Sequence, residues 1–180
     1  AASDVYKRQD MMNEEAQAIG ATNSHFVNPH GLNAENHYVT AYDMYLIFNE
    51  ALKYDTVNEI ISMTSYDTVY TDKNGNEKTL SVKNTNQYLA GNVAAPDRVT
   101  VIGGKTGTTM EAGNCFVGAF SRENGGEVYV AIFGAADNDT RFADTLALAN
   151  WYYDHIATVP YINTPVTRNG VPLVGEATCS

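Results

Sequence analysis

The chain has 180 residues, of which 44% are hydrophobic and 18% are charged, and these proportions are typical of one globular domain. Eleven basic residues against 21 acidic ones give a formal net charge of −10. A chain this acidic is repelled by phosphate backbones, so nucleic acid is excluded as a partner class. No stretch approaches the ~20 consecutive apolar residues of a membrane helix.

The two ends of the sequence differ from its middle. Residues 1–9 show neither a helical nor a strand period, and part of them resembles a translated transposon-type sequencing adapter, so we interpret 1–9 as a non-native leader. A natural polar tail is the alternative. Residues 170–176 have the pattern of a strand without a partner. We therefore expect a fragment truncated at both ends, with 157–180 as the start of a further C-terminal segment.

Three helices are predicted in the first third of the chain. Asp10 is a candidate N-cap for the first helix, and Gly20 is its candidate stop. Thr40 and Asp43 have the spacing of a capping box, with Asp in place of the usual Glu, before an amphipathic helix. Asp55 is the candidate cap of the third helix.

From residue 66 the apolar period changes from helical spacing to alternation. Segments 66–70 and 78–82 flank Asn74-Gly75, which is a hairpin signal. Further strands are predicted at 99–102, 115–120 and 127–133. A last helix is predicted to begin at Asp139 or Thr140, and its apolar stripe comprises Phe142, Leu146, Ala149, Tyr153 and Ile156. This order of elements indicates an α+β fold, with an antiparallel sheet on which the final helix packs.

The segment with the clearest chemical signal is Gly-Lys-Thr-Gly-Thr-Thr at 104–109. A phosphate-binding P-loop is disfavoured, because its first glycine would fall at Val99 and because a strand follows Lys105 where a helix is needed. The second interpretation is the Lys-Thr-Gly triplet that borders the active-site cleft in serine β-lactamases and penicillin-binding proteins. The triplet alone is weak evidence, since an edge-strand lysine beside a glycine bulge has the same sequence.

Four motifs together give the triplet its context. They occupy 28–32, 40–44, 84–86 and 104–108 and read Asn-Pro-His-Gly-Leu, Thr-Ala-Tyr-Asp-Met, Asn-Thr-Asn and Gly-Lys-Thr-Gly-Thr. In this order and spacing the chain resembles the serine D-alanyl-D-alanine carboxypeptidases, the low-molecular-mass penicillin-binding proteins.

The resemblance runs from Asp10 to about Ile156. It implies an incomplete β-lactamase/transpeptidase-like fold, that is, a partial catalytic domain over 10–156. The helical part at 10–65 would form part of a helical subdomain beside the sheet and final helix at 66–156, and the cleft would lie between the two parts.

The sequence also departs from the family pattern. The nucleophile motif Ser-x-x-Lys is missing from it, and so is Ser-x-Asn. Tyr-Ile-Asn at 161–163 matches a Tyr-x-Asn variant, but it follows the Lys-Thr-Gly segment where the family has it before, so we interpret it as chance. Truncation upstream of Asp10 explains both gaps, and it would also remove the first two strands of the family sheet. We therefore expect an inactive fragment that is prone to association, with 127–133 paired to 115–120 on one side and open on the other.

The resemblance implies acyl transfer, in which an upstream serine forms an acyl-enzyme with a peptide ending in D-Ala-D-Ala. Within this chain it assigns substrate binding to Lys105, Thr106, Gly107 and Thr108. Lys105 would offer positive charge and the threonines would offer hydroxyl donors to the substrate carboxylate, while Gly107 leaves room for the substrate backbone. The backbone N–H of Thr108 would have a catalytic role as one donor of the oxyanion hole.

The same resemblance implies peptidoglycan stem peptides as substrates, β-lactams as inhibitors, and neither a cofactor nor a metal. It further implies an extracytoplasmic location in a bacterial cell envelope, and it leaves open a membrane anchor elsewhere in a longer protein. Two alternatives remain: a β-lactamase or D,D-transpeptidase of the same superfamily, and a non-catalytic peptidoglycan-binding module that truly lacks the serine.

Four further residues are candidate site residues. His25, His30 and His37 lie close together in the sequence, and three imidazoles can hold zinc, but their spacing matches no ligand signature. We therefore favour a structural or cleft-lining role for them, with a tight turn at 28–31. Cys115 lies in an apolar run and is interpreted as a small buried hydrophobic residue.

Overall fold

The computed structural model describes residues 2–123, 126–155, 167–168 and 171–172. The helices are α1 (Ala2–Ala18), α2 (Ala41–Ala51), α3 (Asp55–Ser62) and α4 (Asn138–His155). The strands are β1 (Ser65–Thr71), β2 (Glu77–Lys83), β3 (Val99–Thr109), β4 (Gly113–Arg122), β5 (Gly126–Ala135), β6 (Thr167–Arg168) and β7 (Val171–Pro172).

The central element is an antiparallel sheet in the order β3-β4-β5. On one face, Phe116 and Phe120 of β4 pack with Phe142 and Ala149 of α4 in a buried cluster. On the other face, Phe48 of α2 packs with the β4 side chains of that face. The sheet is therefore the middle layer between α4 and the helices α2 and α3. This confirms the predicted α+β fold and the packing of the final helix on the sheet.

The predicted hairpin around Asn74-Gly75 is confirmed as β1 and β2, which pair from Ser65↔Lys83 to Thr71↔Glu77. The Asp72 side chain accepts hydrogen bonds from the backbone N–H groups of Asn74 and Asn76, and Gly75 takes the left-handed conformation at φ 83° that favours glycine. These hydrogen bonds hold the Asp72 carboxylate ionised and lower its pKa.

The end of α1 is as predicted, but its beginning is not. The N–H of Ala21 donates to the carbonyl of Ala16, and the N–H of Gly20 donates to that of Gln17, which is a Schellman motif with Gly20 at φ 87°. Asp10 is no N-cap, because α1 begins at Ala2. The first nine residues include Ala, Lys, Arg and Gln, which favour helix without any apolar period. Their origin as a non-native leader remains an expectation.

Two further helix starts also differ from the sequence expectation. Asp55 is the first residue of α3 and follows Tyr54, which makes no side-chain capping bond, so the Asp55 cap is wrong. α4 begins at Asn138, ahead of both predicted starts, because the Asp137 carboxylate accepts from the N–H of Thr140 at 2.7 Å and takes the capping role.

The C-terminal strand expectation is wrong for the part that the structure describes. Residues of β7 pair with β6 through Thr167↔Pro172 and Arg168↔Val171, so this segment has a partner. The remainder of 170–176 lies outside the described residues, as do Ile156, the Tyr-Ile-Asn segment at 161–163 and most of the predicted C-terminal segment 157–180.

Candidate functional site

The Lys-Thr-Gly-Thr segment forms the second half of β3, which lies at an edge of the described sheet. Strand alternation buries Thr106, which is 8% exposed, between the exposed Lys105 and Gly107. Thr108 lies on the same face as Thr106 but is exposed. The Lys105 ammonium donates to the carbonyl oxygen of Thr106. No ion pair among the described residues involves Lys105, so its ammonium has no carboxylate partner there.

A groove of about 600 Å³ opens beside Lys105. Its lining is mostly apolar and comes from α3, from the base of the β1–β2 hairpin and from β3. The lining residues are Glu59, Ile60, Ile61, Met63, Ser65, Tyr66, Val82, Lys83, Asn84, Thr85, Gly104 and Lys105. A ligand that rests in this groove would meet apolar contacts along its body and positive charge at the Lys105 end.

The Asn-Thr-Asn loop at 84–86 holds β3 against the end of α3. The Asn84 side-chain amide donates to the carbonyls of Ile61 at 3.3 Å and Met63 at 2.7 Å. The hydroxyls of Thr85 and Thr106 lie 2.6 Å apart and share a hydrogen bond. Two of the four sequence motifs thus touch each other, and the loop fixes the position of the Lys-Thr-Gly strand.

Glycines in β3 have two different roles. A Cβ at Gly104 would lie 2.6 Å from the Phe116 ring and 2.7 Å from the Val117 carbonyl, so only glycine allows β3 to pack there. A Cβ at Gly107 would meet no atom within 4 Å. The space over Gly107 is therefore open for a ligand.

Arg141 of α4 is the site residue that sequence reasoning missed. Only 6% exposed, it reaches the strand from beneath and donates from Nη1 to the carbonyls of Gly107 and Cys115 and to the Thr108 hydroxyl, each at 3.2 Å. Burial lowers the pKa of Arg141. The sequence contained one signal for this role. Arg141 stands directly before Phe142, a residue of the apolar stripe predicted for the last helix.

The loop after α1 reaches the far end of β3. The predicted tight turn is present, since the buried Asn28 accepts from the N–H of Gly31 and donates to the carbonyl of Leu32, both at 2.8 Å. Next along the chain, Asn33 accepts from the Thr109 hydroxyl at 2.8 Å and donates to the Glu111 carboxylate. This loop therefore meets the β3–β4 turn just beyond Thr108.

A buried carboxylate fixes the start of α2 and the loop after α1. The Thr40 hydroxyl accepts from the N–H of Asp43, which confirms Thr40 as the cap. The reciprocal bond of a capping box is replaced by another, because the fully buried Asp43 carboxylate accepts from the Ser24 hydroxyl at 2.6 Å and from the N–H of Asn23 at 2.7 Å. The Thr-Ala-Tyr-Asp-Met motif at 40–44 is thus a structural anchor for the loop that carries Asn28.

The three histidines bond to backbone groups of their own loop. Nδ1 of His37 accepts from the N–H of Val27 at 3.0 Å, and that of His30 accepts from the N–H of Leu32 at 3.2 Å. Burial lowers the pKa of His37, with the neighbouring His30 and His25 acting in the same direction. Within the described ranges, no group of three or more His, Cys, Asp or Glu side chains is placed to hold a metal ion.

Cys115 differs from its sequence interpretation. It is half-buried, not buried, because it lies opposite Gly107 on the neighbouring strand and no side chain covers it from there. Its thiol donates to the carbonyl of Ala112 at 3.3 Å.

The model of the D-alanyl-D-alanine carboxypeptidase family matches residues 8–137 of the chain. A D-alanyl-D-alanine carboxypeptidase of Bacillus subtilis is 32% identical over 83% of this chain and 36% of its own length. One from Escherichia coli is 32% identical over 83% of this chain and 34% of its own. Among solved structures, a mutant of the Streptomyces K15 DD-transpeptidase matches with a TM-score of 0.74 and 27% identity, over 85% of this chain and 56% of that one.

The chain spans about a third of the length of these curated relatives and about half of the solved transpeptidase. Within the described ranges, none of the helices is both long enough and apolar enough to cross a bilayer.

Proposed function

The chain belongs to the D-alanyl-D-alanine carboxypeptidase family, and on that basis we propose that it forms the carboxylate-binding wall of a serine-type carboxypeptidase. The substrate class is peptidoglycan stem peptides that end in D-Ala-D-Ala, and β-lactams are the inhibitor class. The protein would act in the bacterial cell envelope, outside the cytoplasm.

The observation that carries the proposal is the charge arrangement around Thr106, Gly107 and Thr108. Lys105 precedes this segment with an ammonium that no described carboxylate neutralises, and the buried Arg141 lies behind it, 3.2 Å from the Gly107 carbonyl. Two cations thus flank one short strand on a chain with net charge −10. This arrangement supports binding of a terminal carboxylate, to which charged donors bind more strongly than neutral ones.

The edge position of β3 supports strand-like docking of the peptide. Its outer edge has no strand partner among the described residues, and the space over Gly107 is open. An extended peptide can therefore add to this edge by main-chain hydrogen bonds. In that pose the N–H of Thr108 would point at the scissile carbonyl and stabilise the oxyanion.

The covalent steps require a serine that this chain does not supply in a Ser-x-x-Lys motif. Its oxygen would bond to the carbonyl carbon between the two D-alanines while the C–N bond breaks, and the serine proton would go to the departing D-alanine amine. Water would then hydrolyse the ester and restore the serine. The residues described in this structure bind and orient the substrate in both steps.

The test compares two lysine variants in a longer protein that carries Ser-x-x-Lys upstream of this chain. Lys105→Ala should slow acylation by a fluorescent penicillin about 10²-fold, which is the size of losing a charged donor in a binding site. Lys78→Ala, an exposed lysine on β2 outside the groove, is the matched control and should leave acylation unchanged. Equal rates for Lys105→Ala and the parent would remove Lys105 from the site.

A second, independent experiment uses the 180-residue chain by itself. Incubated alone with the same penicillin, it should form no covalent adduct. An adduct mapped to any serine of this chain would contradict the assignment of the nucleophile to an outside segment.

Transpeptidation is the second candidate, favoured by the similarity to a solved DD-transpeptidase. Both reactions share the acyl-enzyme and differ in the acceptor, which is water for a carboxypeptidase and an amine for a transpeptidase. Release of D-alanine from a D-Ala-D-Ala peptide, with and without an added amino acceptor, separates the two. Retained peptide binding without any D-alanine release would instead indicate a non-catalytic binding module.

A further inference from the structure

The loop at 25–38 is closed by hydrogen bonds between its two ends. His25 and Tyr38 exchange backbone bonds with N–O distances of 2.9 and 3.0 Å. Next to them, the backbone N–H of Val27 donates to Nδ1 of His37 at 3.0 Å. The His37 ring is held edge-on against Phe26, with the ring centroids 5.8 Å apart. The bond to Val27 thus joins the two ends of the loop through a titratable acceptor.

The hydrogen-bond partners determine which ring nitrogens carry protons. A backbone N–H can only donate, so Nδ1 of His37 is unprotonated and the neutral ring carries its proton on Nε2. The same holds for His30, whose Nδ1 accepts from the N–H of Leu32 within the loop. His25 is the opposite case, because its Nδ1 lies 2.6 Å from the carbonyl oxygen of Asn36 and must donate. Protonation therefore breaks the bond between His37 and Val27 but leaves the His25 bond intact.

The titratable groups around His37 act in opposite directions. Burial lowers the pKa of His37 most, and the nearby His30 and His25 lower it further. Glu35 of the loop and Glu111 of the β3–β4 turn line a cavity of about 550 Å³ together with His37, and their charges favour the imidazolium. The net direction is downward. The closed loop therefore binds the proton less tightly than an open loop, in which a free imidazole has a pKa of about 6.5.

The two sides of this loop are anchored differently. Asn13 of α1 accepts from the N–H of Phe26 at 2.9 Å and donates to its carbonyl at 2.7 Å, and an amide side chain does not titrate. At the loop's far side, Asn33 accepts from the Thr109 hydroxyl at the end of β3. Loss of the His37 bond would therefore leave Phe26 in place and free the part of the loop that contacts β3.

We propose that His37 makes this loop sensitive to pH: neutral His37 holds the loop closed, and its protonation breaks the bond to Val27 and releases Asn33 from Thr109. Because the open loop binds the proton more tightly, closure is fully stable above about pH 6.5 and weakens as the pH falls below it. Every bond concerned joins residues of this chain to each other, and none involves a substrate. The pH response is therefore independent of the proposed function.

NMR of the 180-residue chain tests the proton positions and the opening. Long-range ¹H–¹⁵N spectra above about pH 7 should show the ring proton of His37 on Nε2 and that of His25 on Nδ1. Amide exchange, corrected for its intrinsic dependence on pH, should show the protection of Val27 about tenfold lower at about pH 5.5 than at about pH 7.5. Protection that does not change, or that is absent at the higher pH, would overturn the proposal.

Three variants assign the effect to one histidine. His37→Asn offers an amide oxygen near the position of Nδ1 and does not titrate, so Val27 should stay protected at both pH values. His37→Leu has no acceptor, and Val27 should exchange fast at both. His155→Asn, at the end of α4, is the control and should behave like the parent. If His37→Asn keeps the full pH dependence of the parent, His37 is not the group that responds.

Discussion

The hydroxyls of Thr85 and Thr106 lie 2.6 Å apart, and this hydrogen bond joins the Asn-Thr-Asn loop to the Lys-Thr-Gly strand. Thr106 is buried while Thr85 is exposed. The bond therefore connects a surface loop to a side chain inside the sheet. It is one of the contacts that set the distance between β3 and the Asn-Thr-Asn loop, and both of these line the groove.

A double-mutant cycle measures this bond. Thr85→Val should lower the free energy of unfolding by about 1–2 kcal/mol, because the buried Thr106 hydroxyl loses its partner. Thr106→Val and the double variant complete the cycle, with an expected coupling of about 1 kcal/mol. Thr79→Val at an exposed position on β2 is the control for the substitution itself. Additive effects of the two site variants, measured by urea unfolding, would show that the hydroxyls do not interact.

Two glycine substitutions should separate folding from binding. Gly104→Ala places a Cβ 2.6 Å from the Phe116 ring and should destabilise the chain by about 1–3 kcal/mol through overpacking. Gly107→Ala meets no atom within 4 Å and should unfold like the parent. In a longer, acylating protein, Gly107→Ala should instead slow reaction with penicillin. A large loss of stability for Gly107→Ala would show that the space over it is occupied.

Arg141→Met tests whether the buried guanidinium stabilises the strand. Its hydrogen bonds to the carbonyls of Gly107 and Cys115 are made by a charged donor, so we expect a loss of about 2 kcal/mol in the free energy of unfolding. Removing the buried charge also removes its desolvation cost, which reduces the expected loss of stability. The loss still dominates, because the carbonyls of Gly107 and Cys115 no longer have the guanidinium donor. Arg141→Lys keeps the charge, cannot reach all three acceptors at once, and should recover part of the loss. Increased stability for Arg141→Met would show that desolvation outweighs the hydrogen bonds.

Tyr88 should make folding sensitive to alkaline pH. Burial raises the pKa of Tyr88 to about 12, above the value of about 10 in an unfolded chain. The folded state thus holds the phenol proton more tightly, and this stabilisation is fully present below pH ~10 and is lost as the pH rises through the folded pKa. Urea unfolding across this interval should show a smaller loss of stability for Tyr88→Phe than for the parent.

The Tyr88 measurement has an internal comparison. Burial, assisted by its bond to Glu127, also raises the pKa of Tyr129 to about 12, so Tyr129→Phe should remove a second share of the dependence. Tyr88→Phe additionally loses the hydrogen bond to the Phe142 carbonyl, which lowers stability at neutral pH by about 1 kcal/mol. Parallel pH curves for the parent and Tyr88→Phe would contradict the raised pKa.

Local sequence signals predicted the elements of this fold better than its contacts. Gly20 and Asn74-Gly75 predicted a helix stop and a hairpin, because both depend on backbone conformations that few residues adopt. Asp55 was misassigned because the N-cap residue of α3 is Tyr54, which makes no side-chain capping bond and therefore leaves no capping signal in the sequence. The start of α1 was missed because its first residues favour helix by propensity alone and have no apolar period that would reveal it.

The candidate site was predictable only along the strand that carries it. Lys105 to Thr108 are contiguous, so one motif identifies them, and their roles remain predictions. Arg141 reaches the same strand from a helix 33 or more residues later, and its place follows from the packing of α4 on the sheet. The Thr85 contact likewise depends on tertiary structure, because nothing local in the sequence relates that loop to Thr106.

The contact of Asn33 with Thr109 and Glu111 has a consequence for motion. Thr109 and Glu111 lie 76 and 78 residues after Asn33 in sequence, and hydrogen bonds join the three side chains. None of the three belongs to a hydrophobic core cluster. Separating them exposes no apolar core, so the opening requires much less free energy than global unfolding does. Amide exchange in the loop after α1 and in the β3–β4 turn should therefore be faster than in the core strands. The end of the site beyond Thr108 would thus open and close many times within the lifetime of one folded molecule.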